Sequence, residues 1–260
     1  MNRIAIIAIL GALTIAAPAF AEEDDATRQA RWQELRHALF GDRPVEDGVG
    51  VVSLDAPIRA LDAAIVPLTI ELAGPARIKT LYLTIDDNPS PLAATFHFGP
   101  AADAHELRTR VRVESYTLLH AVAETEDGHL YAAEHFIKAA GGCSAPAGKD
   151  QEAALQRLGQ MKLKRAEGDR LQLLISHPNY NGMQMDQLTR NYTPARFIQD
   201  ITVTRGDALV FDLESDISLS EDPAITFGVA DKSKAPVTVE LHDSAKAVFR
   251  QSFDMPANDS

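Results

Sequence analysis

The chain has 260 residues, 37 of them acidic against 25 basic, for a formal charge of −12. That balance excludes a protein built to grip a phosphate backbone, which needs a basic footprint; the single cysteine excludes both a disulfide framework and a cysteine-rich metal site. With 45% apolar residues and about 240 residues left after a leader is removed, there is material for two domains of about 100 residues each.

Residues 1–21 read as a secretory leader. Arg3 supplies a positive charge, the run Ile4 to Ala17 is apolar, and Ala19-Phe20-Ala21 offers the small residues of a cleavage site before an acidic stretch. The apolar run falls short of the roughly 18 to 20 residues that cross a bilayer, and no later run reaches that length. The expectation is a periplasmic protein beginning at Glu22, with no membrane attachment after cleavage.

Residues 22–44 hold a helix whose face carries Trp32, Leu35 and Leu39, with Asp25 as cap and Gly41 as terminator. From there to residue 140 the period is two. Val66, Leu68, Ile70 and Leu72 share one face, as do Leu81, Leu83 and Ile85, and "NPSP" at 88–91 makes a turn. Phe96 and Phe98 oppose His97, and Leu107, Val111 and Val113 oppose Arg108, Arg110 and Arg112, a basic stripe that could meet an anionic partner or oxyanion and is more simply read as a solvated strand face. Two further strands meet at Asp127-Gly128. Strands with such turns and no helices between them predict an immunoglobulin-like antiparallel β-sandwich over 45–140.

Residues 141–167 read as a loop carrying the cysteine, then a helical linker capped by Asp150 with Leu155, Leu158 and Met161 on one face. A second all-β sandwich with its own core follows over 168–260, with hairpin turns at Arg205-Gly206-Asp207 and at 243–246. Its irregular stretch, "HPNYNGMQMDQLTRNYTPA", is a loop.

"NPSPLAATFHF", "TRVRV" and "AVAETEDGHLYAAEHFIKAAGGC" resemble the sulfur-carrier subunit SoxY of bacterial sulfur oxidation; "ISHPNYNGM" and "YTPARFIQDITVTRGDALVFDLESDISLSEDPAITFGV" are similar to its partner SoxZ. The resemblance spans nearly all of residues 45–255. It implies a fusion of two subunits that elsewhere associate non-covalently, of the SoxYZ-like type found with quinoprotein (PQQ-dependent) dehydrogenases. It also implies that Cys143, after Gly141 and Gly142, corresponds to the cysteine of SoxY's Gly-Gly-Cys-Gly-Gly arm. In SoxY that arm is a free C-terminal tail; here Ser144 and Ala145 follow and the chain continues.

The residues themselves allow the same reading. A carrier thiol must be nucleophilic, exposed and able to reach a partner's active site, and a thiolate forms persulfides, thiosulfonates and mixed disulfides. Gly141 and Gly142 thin and loosen the arm, Lys138 and Lys149 flank it, and Cys143 is expected to be solvent-exposed and as reactive as a small peptide thiol. The bland alternative is a small buried hydrophobe. The expected function is a periplasmic carrier holding a sulfur-containing or other substrate-derived group on Cys143 for partner redox enzymes, of the sulfur-oxidation or quinoprotein dehydrogenase type, with no catalysis and no cofactor or metal of its own. One alternative is a non-covalent adaptor for a quinoprotein dehydrogenase, which tolerates a buried sulfur as a carrier does not. Another is copper handling through His177, Met183 and Met185. No Ser-His-Asp arrangement, phosphate loop or dinucleotide fingerprint is identifiable.

Overall fold

The computed structural model describes residues 24–74, 76–146, 151–186, 189–230 and 235–255. The expected leader and its cleavage site lie outside the described residues, as does Asp150. No helix among the described residues is long and apolar enough to cross a membrane.

Helix α1 (Asp25–Phe40) is capped by Asp24, one residue before the expected cap, whose carboxylate accepts from the Thr27 N–H at 2.8 Å. It ends at Gly41, where a positive φ of 63° suits glycine. Its apolar stripe is the expected one: Trp32, Leu35, Leu39 and Phe40 pack with Val122 and Leu130. Strands β1 (Val45–Asp47), β2 (Val52–Asp55), β3 (Val66–Leu72), β4 (Ile78–Ile85), β5 (Leu92–Phe98), β6 (Ala102–Val111), β7 (Thr117–Thr125) and β8 (Leu130–Ile137) complete the first half. The second half runs through α2 (Gln151–Gln156), β9 (Met161–Arg165), β10 (Leu171–Ile175), β11 (Ile198–Arg205), β12 (Ala208–Ser215), β13 (Ala224–Val229), β14 (Val237–Asp243) and β15 (Val248–Phe253).

Each half is a two-sheet sandwich, as the strand periodicity predicts. Val66, Leu68, Ile70, Leu81, Leu83 and Ile85 are buried on the inner faces. The pairing is antiparallel except between β1 and β8. The two sandwiches are not separate bodies, however. One sheet runs β1-β8-β7-β4-β5-β12-β11-β14-β15 and the other β2-β3-β6-β13-β10-β9. Both cross from one half to the other, through β5 with β12 and through β6 with β13. The expectation of two independent cores is therefore corrected. A single apolar cluster includes Leu83 and Phe96 of the first half together with Phe211 and Val239 of the second. The reason lies in the edges: β5 and β12 carry Phe96, Phe98, Phe211 and Leu213, and an apolar edge left open invites pairing.

The linker also differs from expectation. α2 stops at Gln156, and Met161 opens a strand in which the exposed Lys162 and Lys164 alternate with inward residues and pair with β10. Period two thus extends into a segment read as helix.

Candidate functional site

The Cys143 loop follows β8 and lies against the first half's own backbone. Gly141 N–H donates to Glu114 O at 2.7 Å and Gly142 N–H to Val113 O at 3.0 Å. Gly141 has φ +77°, and a Cβ at Gly142 would stand 2.0 Å from Ala63 O and 2.6 Å from Val113 O. Here the two glycines seat the loop: one makes the turn, the other permits the contact.

Glu114 fastens the next residues. Its carboxylate accepts from the Cys143 N–H at 2.8 Å, the Ser144 N–H at 3.2 Å and the Ser144 hydroxyl at 3.1 Å. From the second half, Asn181 Nδ2 donates to Cys143 O at 2.6 Å, while Arg112 Nη1 reaches Gly142 O at 3.4 Å.

Two expectations are corrected here. Cys143 is not exposed: its relative accessibility is 0%. Nor is it primed as a nucleophile. Burial first, and the Glu114 charge second, push its thiol up to about 12 against the opposing pull of Arg112. The thiol is accordingly protonated at neutral pH. Arg112 is likewise no part of a solvated stripe. It is 1% exposed, and burial pulls its pKa down. Arg108 and Arg110 are half-buried; Arg108 pairs with Glu106 at 2.6 Å and Arg110 donates to Asp222 O.

The sulfur nevertheless lies outside the contiguous apolar core. The residue's own partners are polar: Glu114 and Asn181 of the 177–184 loop hold its backbone N–H and carbonyl, and the charges of Glu114 and Arg112 act on its thiol. That loop is itself held by buried side chains. Asn179 donates from Nδ2 to Ser220 O at 2.7 Å and accepts from the Ile198 N–H at 3.0 Å. His177 is buried, its Nδ1 accepting from the Asn179 N–H at 3.1 Å and its Nε2 3.6 Å from Asp243. Burial holds this imidazole below its ordinary pKa. With Nδ1 accepting from Asn179 and Nε2 3.6 Å from Asp243, His177 serves the loop's architecture. His97 points outward as expected, with Nδ1 3.3 Å from the Thr80 hydroxyl.

Residues 36–143 match the family model described as sulfur oxidation protein SoxY, and residues 161–254 match that of sulphur oxidation protein SoxZ. The chain is a SoxY domain fused to a SoxZ domain. Its SoxY match ends at Cys143. The sulfur carrier protein SoxY from Chlorobium limicola f thiosulfatophilum is a solved structural neighbour, with 24% identity over 44% of this chain and 96% of that one, at a TM-score of 0.38. No curated protein matches the chain. The SoxY and SoxZ domains imply a sulfur carrier role, and Sox carriers work with sulfur-oxidation enzymes.

Sequence reasoning found Cys143, Gly141 and Gly142 and missed the rest of the site. Glu114 and Arg112 come from one stretch of chain and Tyr180, Asn181 and Gln184 from another, both remote from the Cys143 loop in sequence. The one usable signal is the density of amides in "NYNGMQ", unusual for a merely solvated loop.

Proposed function

We propose that this protein is a periplasmic carrier of sulfur oxidation that bears its cargo covalently on Cys143 and presents it to partner redox enzymes, of the sulfur-oxidation or quinoprotein dehydrogenase type. The observation that carries the reading is the setting of the sulfur. The charges of Glu114 and Arg112 act on its thiol, its loop is fastened by hydrogen bonds to one carboxylate, and Cys143 belongs to neither of the apolar clusters in which an inert structural cysteine would sit. Such fastenings can be exchanged for water, at a net cost of about 1.5–3 kcal/mol for each hydrogen bond to a charged group. The seated loop is then a resting state, and presentation requires it to lift. Joining the thiol to a thiosulfate-like dianion forms an S–S bond and releases one proton and two electrons; the electrons go to the partner redox enzyme.

The burial of Cys143 favours a second reading, a non-covalent adaptor with an incidental thiol. Intact mass of the protein taken from its native compartment separates the two. The carrier reading expects an adduct on Cys143 that dithiothreitol removes. Protein that carries no adduct while the pathway is turning over overturns it in favour of the adaptor.

A further inference from the structure

Arg112 occupies an expensive position. Its guanidinium is 1% exposed, yet Nε and Nη2 make no hydrogen bond. Its only acidic partner within 4.0 Å among the described residues is Glu221, at that limit, and Nη1 reaches only a 3.4 Å contact with Gly142 O. A buried cation so poorly matched is strongly unfavourable relative to a well-paired one. Two further buried groups of the SoxZ domain share this corner. Gln184 is 0% exposed; its Oε1 accepts from the Asn181 N–H at 3.2 Å, but its Nε2 has no partner. Asn181 is the residue that holds Cys143 O, so Gln184 is one step from the cysteine. Tyr180 is 6% exposed with its hydroxyl unpartnered, and it feels the Glu221 charge that Arg112 also feels.

Buried polar groups in native proteins are almost always hydrogen-bonded. Three donor side chains left open beside a single cysteine therefore point to a group that completes them. All their open valences are donors: a guanidinium offers only N–H, the free end of Gln184 is its NH2, and the tyrosine hydroxyl can donate. The missing partner is an acceptor, and beside Arg112 an anion. Glu114 is committed to the loop, and Asp62 acts on Arg112 only beyond ion-pair distance. Glu221, one third exposed and loosely paired, can turn to solvent when an anion takes its place.

We propose that Arg112, Gln184 and Tyr180 form a recessed cradle for the anionic end of the group carried on Cys143, so that the SoxZ domain shelters the cargo that the SoxY domain bears. This rests on the carrier reading and adds to it the side chains that would hold the anionic end of the cargo. The cradle draws on both domains: the cysteine and Arg112 come from one, Gln184 and Tyr180 from the other.

The test uses the full chain loaded chemically with two groups. In denaturant, the Cys143 thiolate attacks a bridging sulfur of tetrathionate; the S–S bond breaks, thiosulfate leaves, and Cys143 carries an S–SO3⁻ group. Methyl methanethiosulfonate instead leaves a neutral S–CH3 group and releases methanesulfinate. After refolding, the rate of removal by dithiothreitol is divided into the rate for the same adduct on unfolded chain, giving a protection factor free of intrinsic reactivity. The anionic adduct is expected to be protected at least tenfold more than the neutral one. Arg112→Gln is expected to lose that tenfold preference and Gln184→Leu part of it. Should Arg112→Gln fail to fold, the wild-type comparison and Gln184→Leu decide. Equal protection of the two adducts in wild type, or a preference unchanged in the foldable variants, overturns the cradle while leaving the carrier reading intact. Absence of any native adduct sinks the carrier reading without altering these protection factors.

Discussion

At Cys143 two electrostatic neighbours pull in opposite directions, and burial decides between them. Arg112 favours the thiolate, Glu114 opposes it, and desolvation adds to Glu114, so the thiol stands near 12 instead of its ordinary 9.0. A thiol whose pKa is raised on folding holds its proton more tightly in the folded state. The stabilisation of the seated loop is therefore complete below about 9 and is lost as pH climbs from there toward 12. In native protein at pH 8, reaction with a neutral thiol reagent is expected to run about a thousandfold slower than for a peptide thiol, from thiolate fraction alone. The rate should rise steeply above pH 9. A peptide-like rate at pH 8 would show that the seated loop is not the resting state.

The loop's seat depends on a close approach that only glycine allows. A Cβ on Gly142 meets backbone atoms of Ala63 and Val113, which cannot swing aside as a flexible side chain would. Gly142→Ala is expected to unseat the loop, to raise thiol reactivity at pH 8 by at least tenfold, and to lower global stability by about 1–3 kcal/mol, as overpacking does. Unchanged reactivity in a folded Gly142→Ala protein would mean that the contact does not hold the thiol in. The elements themselves were largely readable, because burial on one face of a strand writes period two directly into Val66 to Leu72 and Leu81 to Ile85. β9 was misread because its alternation of Lys with Met and Leu is short and follows directly on a helix, where the eye extends period 3.6. The site was legible only in its covalent part. Arg108, Arg110 and Arg112 look alike in sequence, yet Arg112 lies past the end of β6 against Gly142 and Glu221. Its burial comes from the Cys143 loop and from the second half of the chain, both far off in sequence, which no local pattern records.

Across the whole molecule, the decisive feature is that both sheets pass through the junction of the two halves. Register pairs such as Phe96 with Leu213 and Phe98 with Phe211 put aromatic and aliphatic side chains directly across that seam. Phe211 in turn makes edge contacts with both Phe96 and Phe227. Covalent fusion is then a convenience for assembly and not the source of the interface. Residues 22–146 and 151–260 co-expressed as separate chains should copurify as a one-to-one complex, and either alone should aggregate through its exposed edge. Two stable, non-associating monomers would show that the shared sheets are not the native arrangement.

The central claim is that the chain works through the sulfur of Cys143, and sulfur oxidation by a host carrying only the Cys143→Ser variant measures it most directly. Serine is nearly isosteric, and it keeps the backbone N–H that Glu114 holds and the carbonyl that Asn181 holds. The protein should therefore accumulate to wild-type levels, while pathway activity falls to that of a strain lacking the protein. Full activity at equal protein level would contradict the carrier account and leave the adaptor in its place.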